Sequence, residues 1–208
     1  MLYDGHEREA EVDFVIRADA LTPEVTHWLR RHAGGLLCFV TTRQIGEALG
    51  LEFQSELYKR LGFTTKTPYG DEPAFMAYVN HVKTKTGVRD VDKALTIREL
   101  ARVVATALKD PKKAGEEFRN NFYMPGHVPI LGGRLGSRWG HTELSLVLAQ
   151  AAGVPPALAI IEALGEGLEA MSLEEAAATS RRLGVPLVTK DDVKALFLSL
   201  PTWPLLQT

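Results

Sequence analysis

The segment Arg138 to Glu143, with the sequence RWGHTE, combines residue types that bind anions and move protons. It places a guanidinium, a glycine, an imidazole, a hydroxyl and a carboxylate next to one another. The apolar run LSLVLAQAAG follows, with Leu144 and Val147 at helical spacing. We therefore expect a loop that enters a helix, with Thr142 as the N-cap residue. A helix N-terminus attracts anions because its N–H groups are free and its dipole is positive there.

Within this segment, Arg138 suits a phosphate group, and Gly140 allows a ligand to approach the backbone closely. His141 is suited to binding a metal ion or to moving a proton. The alternative interpretation is an ordinary solvated helix start, because similar capping residues occur at most helices.

A second polar cluster lies near the N-terminus, where residues 8–13 have the sequence REAEVD. Glu9, Glu11 and Asp13 alternate with apolar residues, which predicts the beginning of a strand with three carboxylates on one face. Such acids repel one another unless a cation lies among them, and their hard oxygens favour Mg²⁺. The alternative is a solvated face of an edge strand.

Together, these segments resemble the 3,4-dihydroxy-2-butanone 4-phosphate synthase family of riboflavin biosynthesis. The resemblance extends over roughly residues 5 to 200, and its specificity comes from several motifs in a fixed order. The matching blocks are REAEVD at 8–13, GGLLCFVTT at 34–42, TGVRDVDKALTIR at 86–98, MPGHVP at 124–129, RWGHTE at 138–143, and Glu162 after PPALAII.

The resemblance implies a lyase that converts D-ribulose 5-phosphate to 3,4-dihydroxy-2-butanone 4-phosphate and formate through a metal-stabilised enediol. It also implies Mg²⁺ or Mn²⁺ as cofactor and a homodimer with the active site near the subunit interface. Residue matching implies Glu9 and His141 as metal ligands. The implied substrate contacts are Arg8, Glu9, Asp13, Arg138, Trp139, Gly140, His141, Thr142 and Glu162, and the implied catalytic residues are His127, Glu162, Glu11 and Asp13.

Several of these residues have a structural alternative. His127 follows Pro125-Gly126, so it also suits a turn. Glu162 ends an apolar run, where it needs either a partner or an exposed strand end. Cys38 lies in an apolar strand and is expected to be a buried, inert thiol.

The chain departs from the family pattern around residues 85–93. Lys85-Thr86-Gly87 replaces the usual TTG, Arg89 and Asp90 replace serine and alanine, and Asp92-Lys93 replaces aspartate–arginine. We also expect Met76 at a position where the family has threonine. Two other functions therefore stay open: a related module that binds a phosphosugar without turnover, and a metal-dependent isomerase or aldolase of another phosphosugar.

Composition agrees with an enzyme of small molecules. The chain has 208 residues, 45% of them hydrophobic, and a net charge of −2 that provides no electrostatic footprint for nucleic acid. No apolar run is long enough to cross a membrane, and no N-terminal segment indicates export, so we expect a cytoplasmic protein. The single cysteine excludes an internal disulfide framework.

Strands and helices alternate along the chain, which predicts an α/β (α+β) sandwich. The family resemblance implies a mixed, twisted sheet layered with helices. We expect residues 1–208 to form a single domain. The predicted helices run from the N-cap Thr22 to Gly34, over 43–49, over 96–109, from the capping box Ser172/Glu175 to Gly184, and over 191–199. The predicted strands are 36–41, 74–82 and 186–189.

Overall fold

The computed structural model describes residues 1–200, and residues 201–208 lie outside the described part. Seven strands and eight helices are formed by the described residues. The strands are β1 (Leu2–Tyr3), β2 (Val12–Arg17), β3 (Cys38–Thr42), β4 (Phe75–His81), β5 (Phe122–Gly133), β6 (Leu158–Glu162) and β7 (Val188–Thr189). The helices are α1 (Pro23–His32), α2 (Arg43–Ala48), α3 (Gln54–Arg60), α4 (Asp90–Ala107), α5 (Pro111–Asn121), α6 (His141–Ala151), α7 (Leu173–Leu183) and α8 (Lys190–Ser199).

All seven strands form one mixed sheet in the order β4-β5-β3-β6-β2-β1-β7. The β3–β5 and β1–β7 pairs are parallel, and the other pairs are antiparallel. The prediction of a mixed sheet layered with helices is therefore confirmed. No helix among residues 1–200 is both long and apolar enough to span a membrane.

The two faces of the sheet bury separate hydrophobic clusters. On one face, Ile97, Leu100 and Val104 of α4 pack against Phe39 and other strand residues. We call this cluster the α4-side core. On the other face, the residues of the α6-side core are Cys38, Val40, Leu131, Leu144, Leu146, Val147, Leu158, Ile160 and Val193, with others. Alternate strand residues face opposite sides, so each strand contributes to both cores.

The predicted helix ends are confirmed at Thr22, at the Ser172 capping box and at Gly184. Thr22 accepts a hydrogen bond from the Val25 N–H at the start of α1, and Ser172 forms a capping box with Glu175. Gly184 ends α7 with a positive φ of 64°. The prediction of a helix over 96–109 was wrong at its start, because α4 begins at Asp90 and includes a polar first turn.

The prediction that residues 8–13 form the beginning of a strand was wrong for its first half. Strand β2 begins only at Val12, and the preceding residues form a turn in which Ala10 has a positive φ of 55°. Buried Asp4 stabilises this turn, because its carboxylate accepts hydrogen bonds from the N–H groups of Glu9 at 3.4 Å and Glu11 at 3.2 Å. The three acids therefore do not share one strand face.

Candidate active site

The start of helix α6 is one wall of the candidate site. Gly140 is the N-cap residue and His141 the first helical residue, so the prediction of Thr142 as N-cap was wrong. Glu143, which is fully buried, accepts hydrogen bonds from the N–H of Gly140 at 3.1 Å and from Arg138 Nη1 at 2.5 Å. This carboxylate caps the helix instead of a Thr142 hydroxyl, and it fixes Arg138 beside the first turn.

Two guanidinium groups flank the N-terminus of α6. A Cβ atom on Gly140 would lie 2.5 Å from Arg8 Nη1 and 2.9 Å from Arg138 Cζ, so only glycine leaves room for both groups. The side chains of Arg8 and Arg138 are 5% and 10% exposed. Among the described residues, Arg8 Nη2 and Arg138 Nε are buried without a hydrogen-bond partner. Unpaired donors beside a helix N-terminus are suited to an anion.

Trp139 and Thr142 lie on either side of this glycine. The Trp139 ring packs edge-on against Phe197 at a centroid distance of 5.3 Å, and its backbone leads into the helix start. Thr142 is buried in the first turn of α6. The structure thus brings together all five residues of segment 138–142 that the sequence predicts for the phosphate.

His141 projects into a group of acids. Its Nδ1 lies 3.6 Å from Glu9 Oε2, and its Nε2 lies 3.6 Å from Asp13 Oδ1. The Nε2 atom is also 3.1 Å from the Glu11 carbonyl oxygen. Asp4, Glu9 and His141 each offer a ligand atom, and these atoms lie within 4.8 Å of one another. Carboxylate oxygens and imidazole nitrogen are a donor set suited to a divalent cation.

Charge and burial oppose each other at His141. Burial alone would lower its pKa, but the charges of Asp13, Glu9 and Asp4 outweigh burial and raise its pKa to about 9. At Glu9 burial and the neighbouring groups act with opposite signs, and the neighbouring groups again outweigh burial. Burial would raise the pKa of Glu9, yet the hydrogen bonds from His141 and Tyr69 and the charge of Arg8 lower it to about 2. At neutral pH these shifts favour a protonated His141 beside an ionised Glu9.

Asp13 differs from its neighbours because it is fully buried and its Oδ1 has no hydrogen-bond partner among the described residues. Burial raises its pKa to about 7, the charge of His141 opposes this rise, and the charges of Glu162 and Glu9 add to it. Burial, with the charges of Glu9 and Glu162, also raises the pKa of Glu11. Asp13 is thus suited to exchanging protons near neutral pH.

Glu162 and His127 lie at the same end of the sheet as Asp13. Glu162 is the last residue of β6 and pairs with Asp13 of β2. Strand β3 lies between β6 and β5: its Cys38 is opposite Ile160, and its Phe39 is opposite Ile130. Counted back from Ile130, His127 of β5 therefore lies at the same end of the sheet. Alternation along the strands directs all three side chains to the α6-side face. They share this face with core residues of their own strands, Val15, Ile160 and Leu131.

The sheet sets the separation of these groups. Two strand spacings lie between His127 and Glu162, so their backbones are about 10 Å apart. Glu162 is half-buried and accepts a hydrogen bond from the Leu36 N–H at 2.6 Å. The expected need of Glu162 for a partner is met by this backbone amide.

His127 is exposed, and Asn80 orients it. The His127 N–H donates to Asn80 Oδ1 at 2.9 Å, so the Asn80 amide nitrogen faces the ring and lies 3.0 Å from Nδ1. Nδ1 then accepts, which leaves the proton of a neutral ring on Nε2. Asn80 also donates to Tyr123 Oη at 2.8 Å.

Three residues of the site were missed from the sequence: Asp4, Tyr69 and Asp71. The Tyr69 hydroxyl donates to Glu9 Oε1, and its ring lies 4.7 Å from Arg8 Cζ. Asp71 Oδ2 accepts from Arg8 Nε at 2.8 Å and lies 4.0 Å from Arg138 Nε. Tyr69 and Asp71 belong to an irregular segment without hydrophobic periodicity, so no pattern signalled them.

The predicted burial of Cys38 is confirmed. Cys38 is buried, and desolvation, with the charges of Glu162 and Asp13, raises the pKa of its thiol well above the ordinary value. In the altered segment 85–93, buried Asp92 accepts hydrogen bonds from three backbone N–H groups and from Nε and Nη2 of Arg89. Arg89 is therefore engaged within its own loop.

Comparison with known proteins agrees with this geometry. A family model described as 3,4-dihydroxy-2-butanone 4-phosphate synthase matches residues 1–196. A relative of that name from Methanosarcina acetivorans is 35% identical over 179 residues, which cover 79% of this chain and 71% of the relative.

Solved structures match as well. A crystal structure of 3,4-dihydroxy-2-butanone 4-phosphate synthase in complex with two magnesium ions superposes with a TM-score of 0.72 and 28% identity, over 93% of this chain and 88% of that one. RibBX from A. baumannii, a two-domain 3,4-dihydroxy-2-butanone 4-phosphate synthase, gives a TM-score of 0.73 and 25% identity over 92% of this chain. The chain spans about half of RibBX, 52% of its length.

The matched family model covers the acidic turn, the strand ends and the start of α6 alike. The predicted resemblance is thus confirmed, and with it the enzyme class. The chain belongs to the 3,4-dihydroxy-2-butanone 4-phosphate synthase family and is a lyase of riboflavin biosynthesis.

Proposed function

We propose that the chain converts D-ribulose 5-phosphate to 3,4-dihydroxy-2-butanone 4-phosphate and formate at the site around His141. The single observation that supports this assignment best is the position of His141 between Glu9 and Asp13. His141 directly follows Gly140, beside which the guanidinium groups of Arg8 and Arg138 lie. A phosphosugar needs an anion site at one end and acid–base groups along its carbon chain, and both occur here.

Glu9 and His141 are the proposed ligands of a divalent metal, with Asp4 as a further donor. The donor atoms already lie within 4.8 Å of one another, and Asp13 adds a buried oxygen without a partner nearby. These residues fit the hard cation Mg²⁺, or Mn²⁺ in its place. When bound, such an ion stabilises negative charge on substrate oxygens. The related structure with two magnesium ions is consistent with this proposal.

The phosphate end is proposed to consist of Arg138, the backbone at Trp139 and Gly140, and the first turn of α6 with Thr142. The unpaired Nε of Arg138 and Nη2 of Arg8 provide buried donors for phosphate oxygens. Arg8, with Asp13, is further proposed to contact the sugar. The buried Glu143 holds Arg138 in place, so little side-chain entropy is lost when the anion binds.

The proposed proton transfers involve Asp13, Glu11, Glu162 and His127. The reaction begins with removal of a proton next to the ketone, which gives an enediol, and it continues through loss of water and rearrangement. Water then adds to the carbonyl carbon that leaves as formate, so no net water is gained or lost. A raised pKa of about 7 allows Asp13 to accept and return a proton near neutral pH. Glu162 and His127 lie on the same face of the sheet as Asp13. They are proposed to transfer protons at the end of the carbon chain away from the phosphate.

We further propose a homodimer in which the site lies near the subunit interface, and a cytoplasmic location. Exposed His127 lies at the rim of the sheet, about 10 Å from Glu162, so it is open to a neighbouring copy. Exposed apolar side chains occur near this rim, including Leu36 at 41% and Met124 at 54% exposure. A subunit interface on this side would bury these apolar groups.

Incubation with ribulose 5-phosphate and Mg²⁺, followed by an assay of formate, tests the proposed reaction. Formate release with retention of the phosphorylated four-carbon product is the expected result. Binding of ribulose 5-phosphate without product would favour the binding module, and a phosphorylated product without formate would favour an isomerase or aldolase. A sample treated with a chelator is the matched control, and it should release no formate.

A further inference from the structure

Asp71 lies where a bound anion would meet both guanidinium groups. Its Oδ2 is 2.8 Å from Arg8 Nε and 4.0 Å from Arg138 Nε. The Asp71 side chain is 26% exposed, whereas the two arginines are at least nine-tenths buried. The carboxylate therefore reaches the cationic pair from its solvent side, the side from which a ligand enters.

The cationic pair is only partly satisfied by this carboxylate. Arg8 Nη2 and Arg138 Nε are buried and have no hydrogen-bond partner among residues 1–200. A phosphate group carries up to two charges and three terminal oxygens, so it pairs with more of these donors than one carboxylate does. Exchange of Asp71 for phosphate therefore gains hydrogen bonds, whereas exchange for another carboxylate does not.

Asp71 reaches the site from a segment with its own internal structure. Within residues 64–73, the Thr67 N–H donates to the Asp71 carbonyl oxygen at 2.9 Å, and the Gly70 N–H donates to the Thr67 carbonyl oxygen at 3.0 Å. Tyr69 of the same segment donates to Glu9 and stacks against Arg8. The segment can thus retain its fold and its Tyr69 contact when the Asp71 carboxylate leaves the arginines.

We propose that Asp71 is an internal competitor of the substrate's phosphate and thereby a specificity-determining residue. In the free enzyme Asp71 is a partly exposed carboxylate of the pair, beside Asp4, which also contacts Arg8, and Glu143, which contacts Arg138. A phosphate dianion displaces Asp71, but a singly charged carboxylate ligand does not. The inference rests on the proposed phosphate end at Arg138. Because the bound carboxylate lowers the fraction of competent sites, it lowers the apparent affinity for every phosphorylated ligand.

Calorimetric binding of inorganic phosphate to the full chain in Mg²⁺-containing buffer tests this competition. We expect Asp71→Asn to lower the dissociation constant by about tenfold, because the displaced group is no longer charged. Glu72→Gln is the matched control. It removes an equal charge one residue away, where the carboxylate contacts Arg134 at 3.3 Å instead of Arg8 or Arg138, and it should leave the dissociation constant within about twofold.

The outcomes separate this inference from the proposed function. Unchanged or weaker phosphate binding by Asp71→Asn, at an unchanged melting temperature, would overturn the competition. An equal gain in Glu72→Gln would also overturn it, since a general charge effect would then explain the result. Arg138→Ala tests the phosphate end itself: if this variant binds phosphate as well as wild type, the proposed function is wrong there. Weaker binding by Arg138→Ala without a gain by Asp71→Asn would overturn only the role of Asp71.

Discussion

At the scale of single residues, the site depends on a histidine that acids surround on several sides. His141 lies 3.6 Å from both Glu9 and Asp13, and no strand or helix supplies all three residues. Its positive charge in the metal-free protein offsets the repulsion among these acids. A divalent cation brings the same compensation with more charge, so proton and metal compete for one place.

The first prediction concerns the metal ligands. Glu9→Gln and His141→Ala should each abolish Mg²⁺-dependent formate release, because each removes one of the proposed donors. Circular dichroism and the melting temperature should show a folded protein in both variants. Glu7→Gln is the control, since Glu7 pairs with Lys190 outside the site and should retain wild-type activity. Wild-type rates in both ligand variants would refute the metal assignment.

The second prediction is a pH dependence of metal binding. The pKa of His141 is raised to about 9, so this imidazole is protonated at pH 7 and must lose its proton to bind a metal. The apparent Mg²⁺ affinity should therefore rise with pH from 7 to 9, by up to about tenfold per unit. Calorimetry in buffers of different ionisation enthalpy should detect nearly one released proton at pH 7. A pH-independent affinity without proton release would contradict this prediction.

The third prediction separates catalysis from binding. Glu162→Gln keeps the shape of the side chain and removes its titratable group, and His127→Ala removes the imidazole. Both variants should bind ribulose 5-phosphate with near-native affinity while formate release falls by about 100-fold or more. Calorimetric binding and the formate assay on the same samples give the comparison. Full formate release by Glu162→Gln would return this residue to a structural role at the strand end.

At the scale of elements, the loop and first turn of α6 determine the shape of the anion site. We expect Gly140→Ala to raise the KM for ribulose 5-phosphate by about tenfold or more, since a Cβ atom would lie 2.5 Å from Arg8 Nη1 and displace a guanidinium. Gly167→Ala is the control, because no atom lies within 4 Å of its Cβ position. An unchanged KM for Gly140→Ala would show that neither arginine needs its observed place.

Element positions were predictable where periodicity or capping chemistry was local. The helix after Thr22-Pro23, the capping box at Ser172 and the apolar strand at Cys38 are examples. Helix α5 was missed although Asp110-Pro111 is a start signal. Its residues are mostly polar, and its buried residues are only Ala114, Gly115 and Phe118, so no hydrophobic periodicity indicated a helix. The alternation of polar and apolar residues over 8–13 led to a wrong prediction, because it indicated a strand where the buried Asp4 carboxylate stabilises a turn.

The parts of the candidate site that escaped sequence reasoning depend on distant pairing. Tyr69 is 60 residues from Glu9, and Asp71 is 63 residues from Arg8, so no spacing rule connects them. Motif matching found residues within the contiguous blocks REAEVD and RWGHTE, such as Glu9 and His141, and the matched single acid Glu162. It did not find the ones that an irregular segment brings across the site.

At the scale of the whole molecule, the exposed rim of the sheet predicts self-association. Tyr123 and Met124, at 43% and 54% exposure, are the second and third residues of β5. Val88 and Val91, at 55% and 49%, lie just before and just after Asp90, where α4 begins. Met124→Asp should therefore shift a dimer towards monomer in light scattering and lower formate release with it. Leu198→Asp, on a side chain of α8 that is 85% exposed, is the control and should stay dimeric. A monomeric wild-type protein would contradict the proposal.

The sheet order has a consequence for how activity returns after denaturation. Asp13, Glu162 and His127 belong to β2, β6 and β5, which become neighbours only through pairings between residues more than 90 positions apart, such as Asp13 with Glu162 and Phe39 with Ile130. Pairings of this kind form slowly because long loops must close first. On dilution from urea, helical circular dichroism should therefore recover before formate release does, and enzymatic activity becomes a direct readout of completed sheet assembly.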